Sequence, residues 1–202
     1  MEAAVASQGR QRLEQLLALE TGEAGWEDLG SKHGVRASRL EAPSGLYYLR
    51  GVCDIACPAE TILTFTQDYG QKRRWDDQFE EGRIVEAFSD NSGVAYERYK
   101  GMWPVSGRDF CFGTWTMRDE EKIVDLAFSI THPAVPEVSG VVRAEMEVGG
   151  FIYRKLSPTT TRVCYLVYLD LKGSLPVSLV NMLQKQQTQV PAQIRDCLRE
   201  TA

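Results

Sequence analysis

The region between residues 82 and 171 contains successive runs with strand character, joined by short polar turns. Two of these turns are Asp90-Asn91-Ser92-Gly93 and Arg118-Asp119-Glu120-Glu121. Turns of this length and composition join neighbouring antiparallel strands. The sequence therefore predicts an antiparallel meander, and this constrains the fold more than any other feature. Its strands are predicted at 82–88, 94–99, 109–117, 123–130, 141–148 with 151–156, and 161–171.

Helical and hairpin patterns precede the meander. Leucines at positions 13, 16, 17 and 19 recur near helical spacing and predict a first helix over about residues 8–21. Two β-rich runs, 35–40 and 46–52, flank Pro43-Ser44-Gly45 and predict a hairpin. Pro58 predicts the start of a second helix that ends at about residue 68. Proline is favourable in the first turn because the N–H that it lacks would have no partner within the helix. A short helix is expected at 72–79.

The last segment predicts a long amphipathic helix over about residues 176–200. Its apolar stripe consists of Leu179, Leu183, Val190, Ile194 and Leu198. Pro191 interrupts the stripe and should kink the helix. A sheet with helices segregated at the two ends is an α+β fold. We expect a single domain spanning 1–202.

Composition excludes several classes of function. Apolar residues make up 43% and charged residues 25% of the chain, which is ordinary for a globular protein. The net charge of −5, without a dense basic run, disfavours nucleic-acid binding and a polybasic membrane anchor. The short cluster Lys72-Arg73-Arg74 is followed by Asp76 and Asp77, and we interpret it as a solvated helix end rather than an anion site.

The cysteines indicate a reducing compartment. There are five, an odd number, and they lack the spacing of paired zinc knuckles. Those at 53, 111 and 164 fall in strand-like runs, where a free thiol behaves as a small buried hydrophobe. Residues 1–20 resemble neither a secretory signal nor an acidic-poor transit peptide, and no window is apolar enough to span a bilayer. We predict a cytoplasmic protein without a metal or other cofactor.

Several motifs in a fixed order resemble the StAR-related lipid transfer (START) domain, from about residue 10 to the C-terminus. The motifs are Gly25-Trp26, Gly45-Leu46-Tyr47, Trp75-Asp76, WPVSGRDF at 103–110, GVVRAE at 140–145 and DLKGSLP at 170–176. The resemblance implies a helix-grip fold, in which a curved antiparallel sheet wraps around the C-terminal helix and encloses a ligand tunnel.

The connection 131–140 is a candidate functional loop, because it is long, contains two prolines and has apolar residues that look exposed. The resemblance implies that it is a mobile gate beside the C-terminal helix. Pro133, Val135 and Val138 are its candidate residues. We expect Val135 and Val138 to touch the membrane interface when the gate opens.

Strand alternation places Glu97 and Tyr99 on one face with Ala95. By resemblance this face borders the tunnel, where Glu97 would accept a hydrogen bond from a ligand hydroxyl. The alternative is a glutamate at the rim, in water. The resemblance also places Asp76 and Tyr168 at tunnel positions, although Asp76 is equally suited to a surface or capping role.

Phe110, Phe112 and Thr114 share one face of their strand, and we favour a core role for Phe112. The helix residues Val180, Leu183 and Gln187 are further candidates for the tunnel lining. Two departures leave the ligand open. Glu97 and Phe110 stand where phosphatidylcholine-binding members have an aromatic choline cage, and Thr114 stands where sterol-binding members have an arginine.

These features predict non-enzymatic binding and transfer of one hydrophobic lipid, a sterol or a phospholipid, by a monomer that contacts membranes transiently. One alternative is an enzyme on the same fold, with Glu97 and Tyr168 as acid and base. The only histidines are His33 and His132, and no triad or metal cluster can be assembled. Another alternative is a ligand-sensing module that recruits a protein. Arg108, Asp109 and Arg143 are expected to be structural.

Overall fold

The computed structural model describes residues 1–101, 105–173, 175, 179, 180, 183 and 186–200. A curved sheet of ten strands dominates the structure. The strands are β1 (Glu27–Lys32), β2 (Val35–Glu41), β3 (Tyr47–Ile55), β4 (Phe79–Ser89), β5 (Ser92–Tyr99), β6 (Gly107–Arg118), β7 (Lys122–Ser129), β8 (Val141–Arg143), β9 (Glu145–Ser157) and β10 (Thr160–Asp170). The helices with complete bounds are α1 (Glu2–Thr21), α2 (Ala59–Gln67), α3 (Tyr69–Trp75) and α4 (Val190–Arg199).

The sheet order confirms the predicted meander. Neighbouring strands follow the order β1-β2-β3-β10-β9-β7-β6-β5-β4, so β4 to β7, β9 and β10 are sequential antiparallel neighbours. The predicted hairpin is β2 and β3, and β3 pairs antiparallel with β10. Short β8 is the exception, because it pairs parallel with β6. The α+β class and the helix-grip architecture are therefore those expected.

Several elements differ from the prediction. Helix α1 starts at Glu2 rather than near residue 8. Strand β1 was missed because all six of its residues are exposed, which leaves no apolar alternation to detect. Strand β9 is continuous through Gly149 and Gly150, where the sequence suggested a break. Gly150 has φ 150°, and a Cβ there would lie 2.1 Å from the carbonyl oxygen of Asp125, so β7 approaches too closely for any side chain.

Helix α3 also begins and ends earlier than predicted. It spans Tyr69–Trp75, and Asp68 caps its N-terminus by accepting a hydrogen bond from the Gly70 N–H at 2.7 Å. Phe79, expected as the last helical residue, is instead the first residue of β4 and is buried. The helix therefore turns Lys72 inward from a position that the sequence presented as a surface end.

The C-terminal segment is divided rather than kinked. Residues 179, 180, 183, 186 and 187 are helical, Thr188 and Gln189 form a turn, and α4 follows with Pro191 in its first turn. The turn lies directly against β3, where a Cβ on Gly51 would be 2.0 Å from the Thr188 carbonyl oxygen. The predicted start of this helix at 176 lies outside the described residues, as do Trp103 and Pro104 of the WPVSGRDF motif and Ser174 and Pro176 of DLKGSLP.

The two faces of the sheet are covered by different helices. Val5 and Leu16 of α1 pack on one face, against Val94, Tyr96 and Leu166. The other face is covered near one end by α2 and α4, whose buried side chains include Ile62, Leu63 and Ile194. No helix in the described ranges combines the length and the apolar character required to cross a bilayer.

Candidate functional site

A cavity of about 770 Å³ lies on the face of the sheet opposite α1. This volume is within the range of ligand pockets, roughly 300–1,000 Å³. Strands β5, β6, β7, β9 and β10 contribute lining residues, as do α2, α3 and the helical residues before α4. The apolar part of the lining includes Leu46, Leu49, Phe110, Phe112, Leu126, Phe151, Leu169, Leu179, Val180 and Leu183.

Alternation along β5 and β6 brings the predicted strand residues together. Glu97 pairs across the strands with Phe110, and Ala95 pairs with Phe112. These four, with Tyr99 and Thr114, all line the cavity. The rings of Phe110 and Phe112 stack with centroids 5.0 Å apart. Phe112 is thus both a core residue and a wall of the cavity.

A buried ion pair forms the polar centre of the cavity. Lys72 Nζ lies 2.7 Å from Glu97 Oε2, with side chains 12% and 11% exposed, and the Tyr99 hydroxyl donates to the same oxygen at 2.6 Å. The Lys72 ammonium also faces the rings of Trp75, Phe79 and Tyr99, at 5.5, 5.2 and 5.7 Å from their centroids. Glu97 is therefore buried and paired rather than a glutamate in water.

The interpretation of Lys72 as part of a solvated helix end is wrong. Arg73 and Arg74 are exposed as expected, but Lys72 points into the cavity with Trp75 and Asp76 nearby. In a helix, Tyr69, Lys72 and Asp76 would lie on one face, because they are three and four residues apart. That spacing was the signal available in the sequence.

Burial shapes the protonation of the groups around this ion pair. Burial, together with the Glu97 charge, raises the pKa values of Tyr69 and Tyr99, so both phenols remain donors. Burial also raises the pKa of Asp76. The Asp76 carboxylate accepts a hydrogen bond from the Gln78 N–H at 3.2 Å in the turn after α3, and Asp76 lines the cavity.

Trp75 carries an unpaired polar atom beside these groups. The residue is 5% exposed and lines the cavity, and its indole Nε1 has no hydrogen-bond partner among the described residues. A buried N–H without an acceptor is unfavourable and is uncommon in native proteins.

A second polar group, missed in the sequence, lies on α2, β6 and β7. Gln67 Nε2 donates to Thr116 Oγ1 at 3.1 Å and to Asp125 Oδ1 at 2.9 Å, and Thr116 Oγ1 donates to Asp125 Oδ1 at 2.9 Å. All three residues line the cavity. Burial raises the pKa of Asp125. No local motif marks this group, because its members are far apart in the chain.

Tyr168 does not belong to the cavity. Its ring packs on Tyr48 on the α1 side of the sheet, and its hydroxyl lies 2.6 Å from Ser44 Oγ. Tyr165 lies three positions earlier on β10 and therefore on the opposite face of the sheet. It lines the cavity, and its hydroxyl donates to Gln187 Oε1 at 3.1 Å. The prediction chose the wrong face of β10, so an acid–base pair of Glu97 with Tyr168 is not assembled.

The loop at 131–140 also lies away from the cavity. Val135, expected to be exposed, is 4% exposed and packs in the cluster that faces α1, whereas Val138 is 43% exposed. Arg143 donates to the carbonyl oxygens of Val135 and Pro136. None of the residues from Thr131 to Gly140 lines the cavity. The loop therefore contributes no residue to the described lining, and its role as a mobile gate, with Pro133, Val135 and Val138, stays a prediction.

Arg108 connects two segments at the edge of the cavity instead. It is buried, and its guanidinium donates to the carbonyl oxygens of Ser106, Leu171 and Lys172. Asp109, the next residue, points the other way and forms an ion pair with Arg143 at 2.8 Å. The structural roles expected of these charged residues are confirmed.

The helix candidates Val180, Leu183 and Gln187 all line the cavity. Within the described ranges, no group of three or more histidine, cysteine, aspartate or glutamate side chains is arranged to hold a metal ion. His132 lies on the loop, contacts Glu86 at 3.0 Å and is not among the residues that line the cavity.

The chain is similar to known proteins. The family model described as the START domain matches residues 8–195. Mouse phosphatidylcholine transfer protein is 31% identical over 184 residues, which are 87% of this chain and 83% of that protein. Mouse START domain-containing protein 10 is 28% identical over 165 residues, 79% of this chain. The match covers 56% of that protein, so this chain spans little more than half of its length.

The fold likeness extends over the whole chain. The solved structure of human StAR-related lipid transfer protein 5 superposes with a TM-score of 0.91 at 22% identity, over 100% of this chain and 99% of that one. At this identity the superposition establishes the fold only. With the family match over nearly all residues, it shows that this chain belongs to the START domain family.

Proposed function

We propose that the chain binds a single hydrophobic lipid in the cavity and transfers it between membranes without altering it chemically. The main support for lipid binding is the 770 Å³ cavity, which combines apolar walls with the buried cluster of Lys72, Glu97 and Tyr99. Apolar walls stabilise a hydrocarbon body, and convergent polar groups fix one polar head. An amphiphile with one head group has this distribution of polarity.

The names of the relatives support a lipid as the ligand. Phosphatidylcholine transfer protein is named after a lipid, and the name of StAR-related lipid transfer protein 5 refers to lipid transfer. In this chain we propose that the head group contacts Asp76, Glu97 and Tyr99. The hydrocarbon would contact a separate set of side chains, namely Phe110, Phe112, Thr114, Val180 and Leu183, with Gln187 held by Tyr165 beside them.

Uptake and release require the cavity to open at a membrane. Arg108 joins the segment near Ser106 to the segment after β10, through the carbonyl oxygens of Leu171 and Lys172. We propose that these two segments separate during transient contact with the membrane, and that the protein acts as a monomer. Hydrogen bonds to backbone carbonyls can be exchanged for water, so this connection can open without unfolding the sheet.

Ligand binding should stabilise the protein measurably. A ligand at 100 times its dissociation constant adds about 2.7 kcal/mol to the free energy of unfolding. For a chain of 150–250 residues each kcal/mol raises Tm by roughly 2–4 °C, so a shift of about 5–11 °C is expected. Binding that gave no shift would indicate a surface site instead.

Native mass spectrometry with lipid extraction of the purified protein tests this function. We expect one lipid per chain, whose mass identifies its class, and movement of that lipid between donor and acceptor vesicles. A protein that carries no lipid, takes up none after delipidation and moves none between vesicles would refute the proposal. Chemical change of a bound lipid would favour an enzyme.

A further inference from the structure

The cavity follows β6 along almost its whole length. Every second residue of this strand from Arg108 to Thr116 lines it, a distance of about 27 Å at about 3.4 Å per residue. On the neighbouring β5 the lining likewise extends from Tyr99 to Gly93. The cavity is therefore elongated, with one end at Arg108 and the other at the turn between β4 and β5.

The end at this turn reaches the protein surface. Helix α3 lies directly on β4 at Gly82, where a Cβ would be 2.6 Å from Tyr69 Cδ1. Beyond Gly82 toward the turn, Ile84 is 61% exposed and Ala87 is exposed as well. We call this end the β4–β5 opening and define it by four residues that are exposed and line the cavity, namely Ile84, Ala87, Ser89 and Asn91.

One side of the β4–β5 opening is polar and is held in place by hydrogen bonds. The Thr116 N–H donates to the Asn91 carbonyl oxygen at 2.7 Å, and Ser89 Oγ donates to Asn91 Oδ1 at 2.8 Å. Gln67 and Asp125 line the cavity with Thr116 and are hydrogen-bonded to it. Polar groups of this kind can exchange hydrogen bonds with water. The contacts of Arg108 must break before the other end opens, whereas this end reaches solvent without any movement.

Lipid uptake displaces the water that fills such a cavity. A hydrocarbon chain that enters an elongated cavity obstructs the path by which it came in, so the water must pass the chain or leave elsewhere. Apolar walls hold water poorly, and hydrogen-bonding side chains at an exit ease its transfer to solvent. An outlet at the far end therefore lowers the barrier to lipid uptake.

From this arrangement we infer that the β4–β5 opening is a water outlet, through which water leaves as lipid enters at the Arg108 end and returns as lipid is released. The inference rests on the proposed function, because only a cavity that exchanges lipid needs such an outlet. It goes further by assigning a kinetic role to residues that need not contact the ligand. Because water uses the outlet in both directions, closing it slows uptake and release equally and leaves the affinity unchanged.

Bulky substitutions at the β4–β5 opening test this role. Ala87→Trp and Ile84→Trp each place an indole in the opening, and exposed positions usually tolerate such changes with little loss of stability. Stopped-flow fluorescence with the uncharged dye Nile red measures uptake, and dilution of the loaded protein measures release. We expect both rate constants to fall about fivefold, through one shared barrier, while the dissociation constant changes less than about twofold. Circular dichroism identifies the variants that keep the fold.

Two further substitutions are matched controls. Ala87→Ser keeps a small side chain at the same position. Leu156→Trp introduces the same indole at a site that is 47% exposed and is not among the residues that line the cavity. Both controls should retain the rates and the affinity of the unmodified protein.

The outcomes separate the inference from the function on which it rests. Unchanged rates in a folded tryptophan variant would overturn the outlet and leave lipid binding intact. A weaker affinity with an unchanged rate of uptake would overturn it as well, because the opening would then belong to the ligand site. Uptake that is abolished would show that the ligand itself passes through the opening. If the unmodified protein binds neither Nile red nor any extracted lipid, the proposed function itself is contradicted.

Discussion

Lys72 of α3 and Glu97 of β5 form an ion pair with an Nζ to Oε2 distance of 2.7 Å, and both side chains are almost enclosed. Removing one partner of a buried pair leaves an uncompensated charge, which typically destabilises a protein by about 3–5 kcal/mol. We therefore expect Lys72→Met to lower the free energy of unfolding by about 3 kcal/mol. Chemical denaturation followed by circular dichroism measures this change.

The double variant Lys72→Met with Glu97→Leu is the critical comparison. An apolar replacement of both partners is often close to neutral in stability, so the double variant should recover most of the loss. The exposed pair Arg162 and Asp54, with side chains 48% and 45% exposed, is the matched control, and Asp54→Asn should cost at most about 1 kcal/mol. A double variant less stable than Lys72→Met would contradict this account.

Tyr165 and Tyr168 on β10 provide a test of which face borders the ligand. Tyr165→Phe removes the hydroxyl that holds Gln187, so lipid affinity should fall by about threefold to tenfold, the equivalent of roughly 1 kcal/mol. Tyr168→Phe removes the contact with Ser44 on the other face, so stability should fall by about 1 kcal/mol with affinity unchanged. Dye displacement and thermal unfolding of both variants measure the difference. The opposite pattern would show that Tyr168 borders the ligand.

Much of the cavity wall follows from the sequence because strand alternation is strict. Once β5 and β6 are placed, Glu97, Tyr99, Phe110, Phe112 and Thr114 must share a face. The resemblance to a family gave the architecture, but it did not settle parity on β10. Residues separated by an odd number of positions on a strand lie on opposite faces. Tyr165 and Tyr168 are three positions apart, so only one of them can face the cavity.

Other residues of the site depend on contacts that no local pattern shows. Lys72 belongs to a basic triplet whose other two members are exposed. It is turned inward by the packing of α3 against β4 and by its ion pair with Glu97 of β5. Asp125 meets Gln67 across 58 positions of the chain. Val135 looks like an exposed loop residue until the loop folds toward α1. In each case tertiary packing overrides local polarity.

Asp125 should make stability depend on pH. Burial raises its pKa above the reference value of 3.8, so the folded state holds the proton more tightly than the unfolded state. Stability contributed by this group is present below about pH 4 and is lost as the pH rises through the folded pKa. Asp125→Asn cannot titrate, so its stability should decline less between pH 4.5 and pH 7.

Urea unfolding at both pH values measures this difference. Asp76 shifts in the same direction, so the slope should be reduced in the variant rather than abolished. Asp54 has a lowered pKa and lies on the surface, so Asp54→Asn should not flatten the decline. Equal slopes for the unmodified protein and Asp125→Asn would show that the carboxyl group is ionised in both states.

The five cysteine thiols should divide into two reactivity classes. Cys53, Cys111 and Cys164 are at most 4% exposed, and burial raises the pKa of Cys53 to about 11 and of Cys164 to about 12. Cys57 and Cys197 are partly exposed. Burial raises the pKa values of these two thiols as well, so access to the sulfur separates the classes. A disulfide reagent at pH 8 should modify Cys57 and Cys197 well before the three buried thiols. Rapid modification of all five under native conditions would contradict the buried assignments. Residence in the cytoplasm stays a prediction.

Arg108 should control how fast the cavity exchanges its lipid. Arg108→Met introduces an unbranched apolar side chain and removes the donors to the carbonyl oxygens of Leu171 and Lys172. Since these carbonyls can bind water at the edge of the cavity, we expect a stability loss of only about 1–2 kcal/mol. Amide hydrogen exchange should rise in residues 169–173, and lipid release to acceptor vesicles should accelerate severalfold. Arg162→Met, at an exposed ion pair on the same strand that ends at Asp170, is the control. Faster hydrogen exchange without faster lipid release would place the opening of the cavity elsewhere.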